Sequence, residues 1–300
     1  MPTISHKAMN EIFIEKSMTK EGAQKAAEAL LPVLQTHVRE GCLMNQVWPM
    51  VPKPEDRLQR NPLAPDQFYI LDDIEPDFVA MAMNADGMPE SRFYAAEACQ
   101  TFFYPLRSKE IILSPDRIRT LPYSVEEFFK KFIGNEIARQ RDVRFVAELD
   151  LAATASGQVL NITSTGPRYK DIVAGADMID GNIFSEIFCT DVIMSYSMMN
   201  KLKQAGVQDF DSGAWEVYAD GYKRGTIDGR TIHLTRKKEF PKDSIYFVTE
   251  KKYVSTNYED YPLKFQSDKE MDEIKIKAKA SVGNTLYNIY GVAKVNWTRS

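Results

Sequence analysis

Residues able to do chemistry are few in this chain, and they are scattered. Histidine occurs only at 6, 37 and 233, and cysteine only at 42, 99 and 189. No two of them stand at metal-ligand spacing, and there is no C-x-x-C pair. Carboxylates cluster at Asp72-Asp73-Glu75-Asp77 and at Glu148-Asp150. Metal binding or acid–base work would need either cluster to converge with other groups in space; otherwise they are a solvated loop and a helix face. Cys189 and His233 could form a nucleophile–base pair, but nothing local supports one. "TRKKEF" and "EKKY" set Arg236, Lys237, Lys238, Lys251 and Lys252 among aromatics. That pattern suits a nucleic-acid surface or lysine-guarded strand edges, and the second is expected. Phosphate-loop, dinucleotide, zinc-protease, nucleophile-elbow and EF-hand patterns are absent from the sequence. The expectation is no catalytic residue, no metal and no cofactor.

The 300 residues are 44% hydrophobic and 27% charged, with net charge −4. That is the balance of a soluble globular protein with ample core material. No basic tail is present, so grip on nucleic acid by charge alone is not expected. Widely spaced cysteines suit a reducing compartment. "MPTISHKAMNEIF" has no apolar signal core, and no apolar run approaches 18 residues, so secretion and membrane spanning are not expected. Sequons at Asn161 and Asn296 then carry no meaning.

The elements that would position these residues are unusual. "SVEEFFKKFIGNEIARQRDVRFVAELDLAATA", residues 124 to 155, opens with a capping box at Ser124 and Glu127, just after Pro122. As a helix it would run roughly 45–48 Å, whereas a compact globule of this length has a radius of gyration of about 19 Å. Phe129, Ile133, Ile137, Phe145, Leu149 and Ala153 follow an i+4 series that winds around the rod. Different elements must therefore cover its two ends. Heptad phasing fails at Asn135 and Arg139, which argues against a coiled coil.

Upstream, residues 20–40 read as an amphipathic helix weakened by Pro32, and residues 41–76 hold six prolines and read as extended. "FVAMAM" and "SRFYAAEACQTFFYPL" read as a long hairpin about "NADGMPE". Downstream, "SEIFCTDVIMSYSMMNKLKQAG" reads as strand then helix closed by Gly206. "GTIDGRTIHLTRKKEFPKDSIYFVTEKKY" reads as a hairpin and two strands. In "EIKIKAKASV", Ile274, Ile276, Ala278 and Ala280 alternate with Lys275, Lys277 and Lys279, a strand with one wet face. "GN" at 283–284 reads as a turn from which "TLYNIYGVAKVNW" returns.

The order of these parts resembles the major capsid proteins of tailed bacteriophages, the Hong Kong 97-type capsid fold, over nearly the whole chain. "DVIMSYSMMNKL" is similar to that family's strand-then-helix in the axial domain, and "IYGVAKVNW" to its closing strand. The resemblance implies an α+β fold. It would have an N-terminal arm at 1–77, an E-loop at 78–106, an axial domain at 156–250, and a peripheral domain from 107–155 and 251–300. It implies a non-enzymatic shell protein forming pentamers and hexamers of an icosahedral or prolate head. The shell would enclose double-stranded DNA without sequence-specific binding. Separate scaffold, portal and decoration proteins are implied partners, the virion is the implied location, and the host cytoplasm is the site of assembly. Phe93, Tyr94, Phe102, Phe103 and Tyr104 would be inter-subunit anchors. Cys42 and Cys99, on arm and E-loop, would lie near subunit boundaries, where an inter-subunit disulfide could form. Some members link subunits through an E-loop lysine. Here no lysine occurs between Lys53 and Lys109, so no such mesh is expected. The alternatives are an encapsulin-like compartment shell, an α/β enzyme with a spatially assembled carboxylate site, and a nucleic-acid module using strands 236–252.

Overall fold

The computed structural model describes residues 5–53, 58–60, 67–71, 98–163, 168–181, 187–204, 226–227, 229–270, 273–286 and 288–298. Four helices open the chain: α1 (His6–Lys16), α2 (Lys20–Glu28), α3 (Leu31–Gly41) and α4 (Leu43–Val47). The helix expected at 20–40 is thus two. Pro32 lacks the N–H an unbroken helix would need there, and is accommodated in the first turn of α3. These helices bury Phe13, Ile14, Ala23, Ala27, Leu34, Val38 and Trp48 in the chain's own core. Residues 5–48 of the expected 1–77 arm are therefore a helical cap on the subunit, because their apolar stripes find partners at home.

Strands β1 (Val51–Pro52), β2 (Leu58–Arg60), β3 (Gln67–Leu71), β4 (Ala98–Arg107) and β5 (Ile111–Leu113) follow, then α5 (Pro115–Arg119). Of the expected E-loop hairpin, residues 78–97 lie outside the described residues, and 98–106 belong to β4. The rod is as long as its sequence pattern predicts: α6 (Val125–Phe129), a π-helical turn (Lys130–Gly134) and α7 (Asn135–Ala155) run on without a break. Ser124 Oγ accepts from the Glu127 amide at 3.2 Å. Asn10 of α1 seats this end, accepting from the Val125 amide at 2.9 Å and donating to the Ile118 and Tyr123 carbonyls. The whole i+4 stripe is buried.

After the rod come β6 (Val159–Thr163), α8 (Tyr169–Asp180), β7 (Cys189–Ser195), α9 (Tyr196–Gln204), β8 (Thr226–Ile227), β9 (Arg230–Thr235), β10 (Ser244–Thr249) and α10 (Lys251–Val254). Then come β11 (Ser255–Glu270), β12 (Glu273–Leu286) and β13 (Val292–Thr298). Gly206 lies outside the described residues. One sheet has the order β1-β11-β12-β4-β3-β2, with β5 also on β12; the other has β6-β13-β10-β7-β9-β8. The first sheet, the cap and the rod enclose one core. The second sheet with α8 and α9 encloses another.

Two sequence expectations are corrected. Gly283-Asn284 is not a turn: β12 runs straight through it, and the hairpin partner is β11. Gly283 instead lies against a side chain of β4, since a Cβ there would meet the Phe103 ring at 2.7 Å. The returning strand β13 does not pair with β12. It enters the second sheet between β6 and β10, so part of 251–300 builds the sheet expected from 156–250 alone.

Free strand edges invite pairing with other chains. Along β11 that edge is closed by glutamines of the cap. Gln24 donates to the Phe265 carbonyl at 3.1 Å and accepts from the Ser267 amide at 2.9 Å, and Gln35 donates to the Leu263 carbonyl at 3.2 Å. Each side-chain amide here stands in for a strand.

Candidate functional site

Glu148 and Asp150 do not converge. Two residues apart on a helix they point about 200° from each other, so each serves a different sheet. Glu148 Oε2 accepts from Asn284 of β12, and burial pushes its carboxyl up to about 7 against the pull of Asn284 and Arg144. Asp150 accepts from the Tyr246 hydroxyl at 2.7 Å and from Lys294 Nζ at 2.6 Å, both on the second sheet. The two acids are struts on opposite sides of the rod. The stretch Asp72 to Asp77 lies outside the described residues.

His233 Nε2 pairs with Asp191 at 2.7 Å across β9 and β7. Cys189 does not face the ring; its thiol lies 3.7 Å from the Asp191 carbonyl, and burial pushes it up to about 12. The Cys189–His233 pair is therefore not assembled. His37 bonds Asn135 at 2.9 Å, tying α3 to the rod. Among the described residues no group of three His, Cys, Asp or Glu side chains could hold a metal, and no helix is long and apolar enough to cross a membrane.

The most elaborate polar node was not expected. Asp142, on the rod, accepts from Cys42 Sγ at 3.0 Å, from the Met44 amide at 3.2 Å, and from Lys237 Nζ. One carboxylate thus joins the cap, the rod and the connection between β9 and β10. Beside it Arg141, 2% exposed, sits 3.6 Å from Glu259 and donates to Met50 Sδ. A signal for it was present: Arg141 is the one charged member of the apolar i+4 series 129, 133, 137, 141, 145, 149, 153. Burial first, then Asp142, pushes the Cys42 thiol up to about 12. Cys42 is fully buried inside the subunit, which removes it from the boundary where a disulfide was anticipated. Cys99 stands on β4 opposite Ile70.

The basic stretch 236–252 is largely spent internally. Arg236 stacks on Tyr196 at 4.4 Å, Lys237 pairs with Asp142, and Lys251 donates to the Pro49 carbonyl at 2.6 Å. Of the aromatic anchors, Phe93 and Tyr94 lie outside the described residues. Phe102, Phe103 and Tyr104 fall on β4, in register with Asn284, Gly283 and Val282. Tyr104 faces the rod with Arg144 4.0 Å over its ring, while Phe103 lies on the opposite face of the sheet beneath Lys53.

What remains open to a partner is surface. Met9 and Ile12 of α1 line a hollow of about 190 Å³ with Ala29, Leu30 and Val125, and Phe132 of the rod is 48% exposed. Such groups catalyse nothing, but they can be covered by another protein.

No protein-family model matches this chain, and no curated protein matches it by sequence. Solved structures do match by fold. A virus-like particle from Pyrococcus furiosus aligns with TM-score 0.58 at 11% identity, over 90% of this chain and 98% of that one. The capsid of a native GTA particle gives 0.60 at 12% identity, over 86% and 90%. A structure from Mycobacterium phage Bobi gives 0.56 at 14% identity, over 87% and 91%. The chain has the mixed α/β fold of Hong Kong 97-type capsid structures.

Proposed function

We propose that this chain is the major shell protein of a tailed-phage-type head. It would assemble into pentamers and hexamers that close around double-stranded DNA. The observation that carries the reading is the fold match, which spans nearly the full length of both chains and includes two particle structures. The physical design supports it. A rod of some 46 Å and a hairpin of 16- and 14-residue strands make a long, thin subunit rather than a globule. Such a body offers several edges to neighbours without needing a larger core. Glu148 and Asp150 brace the rod against both sheets. A shell of this kind would act in the virion, be built in the host cytoplasm, and take separate scaffold, portal and decoration proteins as partners.

Electron microscopy of the purified chain at high concentration, beside size-exclusion chromatography, tests the proposal. Rings of five or six, or closed shells, are expected. A strict monomer that stays monomeric with candidate scaffold proteins would overturn it. The virus-like particle among the matches also favours a second reading, an encapsulin-like compartment. Protein cargo in place of nucleic acid inside purified particles would select that reading.

A further inference from the structure

The cluster around Glu148 holds one cation more than its contacts use. Asn284 of β12 donates to Glu148 Oε2, and Ser255 of β11 donates to Asn284 Oδ1, which fixes the way that amide faces. The acid lines a closed gap of about 10 Å³, too small for bulk water. Three other titratable groups face this gap: Arg141 and Arg144 from the rod, and Tyr104 from β4. The residues that β12 and α4 contribute carry no charge. Arg141 is committed, since it sits 3.6 Å from Glu259 and donates to Met50 Sδ. Arg144 is not. Among the described residues it has no ion-pair or hydrogen-bond partner, and its guanidinium lies 4.0 Å over the Tyr104 ring. It stands one helical turn before Glu148, on the same side of the rod, where residues four apart are neighbours.

We propose that Glu148, Arg144 and Tyr104 form a pH-sensitive switch between the rod and β4, in which Arg144 rests on the Tyr104 ring while Glu148 is protonated and turns to the carboxylate once Glu148 ionises. A protonated acid offers a guanidinium no charge, so the face of the ring is its better partner. An ionised carboxylate in this gap has a single donor, Asn284, and a buried charge so poorly matched draws the nearest uncommitted cation. Arg141 cannot answer, because turning would strip Glu259 of its partner. Arg144 needs only a change of side-chain torsion, with no movement of the rod. The direction follows from the acid's surroundings. Burial raises the carboxyl to about 7 against the pull of Asn284 and Arg144. The ring-bound arrangement therefore holds below about 7, and the carboxylate-bound one above it. Tyr104, fixed on β4 opposite Val282, then loses its cover, and the rod's hold on β4 weakens as pH rises.

The test is nuclear magnetic resonance of the unassembled full chain labelled at arginine, so the outcome does not depend on the shell reading. An aromatic ring shifts the signals of groups lying over its face upfield, and Arg144 is identified as the signal lost in Arg144→Lys. Expected is a ring-shifted Arg144 side chain below about pH 5.5 that moves to the ordinary arginine position above about pH 8.5, in one transition centred near 7. Glu148→Gln, neutral at every pH, should keep Arg144 ring-shifted throughout. Tyr104→Leu should hold it near the ordinary position at every pH, which ties the signal to the ring even where the glutamine variant fails to fold. A wild-type Arg144 signal that does not move across this range overturns the switch. So does the same transition in Glu148→Gln, which would place the titrating group elsewhere, or a transition of undiminished size in Tyr104→Leu.

Discussion

Replacing Glu148 by glutamine should stabilise the subunit at high pH and leave it unchanged at low pH. The carboxyl lies on the rod, facing Asn284 of β12, and burial raises it from 4.5 to about 7. Below pH 4.5 both the folded and the unfolded chain hold its proton, so burial costs nothing. Between 4.5 and 7 the folded chain keeps a proton that the unfolded chain has lost, and stability falls as pH rises. Above 7 the full cost is present. A shift of about 2.5 units at 1.36 kcal/mol each gives about 3 kcal/mol. Glutamine is neutral at every pH, and its Oε1 still accepts from Asn284 Nδ2. Denaturant unfolding of the unassembled subunit at intervals from pH 4.5 to 8.5 gives the comparison, free of the stabilisation that assembly would add. The curves for Glu148→Gln and wild type should coincide near pH 4.5 and part by about 3 kcal/mol at pH 8. A gap that stays below about 1 kcal/mol, or a variant less stable than wild type at pH 8, would refute the burial argument.

Two further outcomes follow from the same core. Asp142→Ala strips the acceptor from the Met44 amide and from Lys237, with a loss of about 3 kcal/mol in denaturant unfolding; Asp142→Asn should lose less, and an alanine variant as stable as wild type would show that the node holds nothing. Cys42 and Cys189, both buried and both raised to about 12, should stay unmodified by a thiol reagent in the native subunit and react once it unfolds, a contrast that mass-spectrometric mapping of the labelled sites would show.

Local pattern alone was enough for the rod, because cap, period and length all lie within one continuous stretch. The wet face of β12 was equally plain, since alternation needs no partner to be seen. Arg141 was visible as an anomaly in an apolar series, although its neighbours Glu259 and Met50 were not.

Other features depended on contacts between distant segments. Gly283-Asn284 reads as a turn, since those residue types favour one, yet Phe103, 180 positions away, lies where a side chain at Gly283 would stand. Strand β13 follows β12 in the chain but pairs with β6 and β10, because its buried residues Ala293, Val295 and Trp297 fit a different core. The residues joined to Asp142 come from positions 42, 44 and 237, which no periodicity links. For the rod and for β12 the sequence by itself determined the kind of element and the face that is wet, because those follow from short-range sterics and the period of apolar residues. Only the tertiary structure decided which strand sits beside which, which charges are matched and which are left over, because pairing and burial are set by segments brought together across the whole chain.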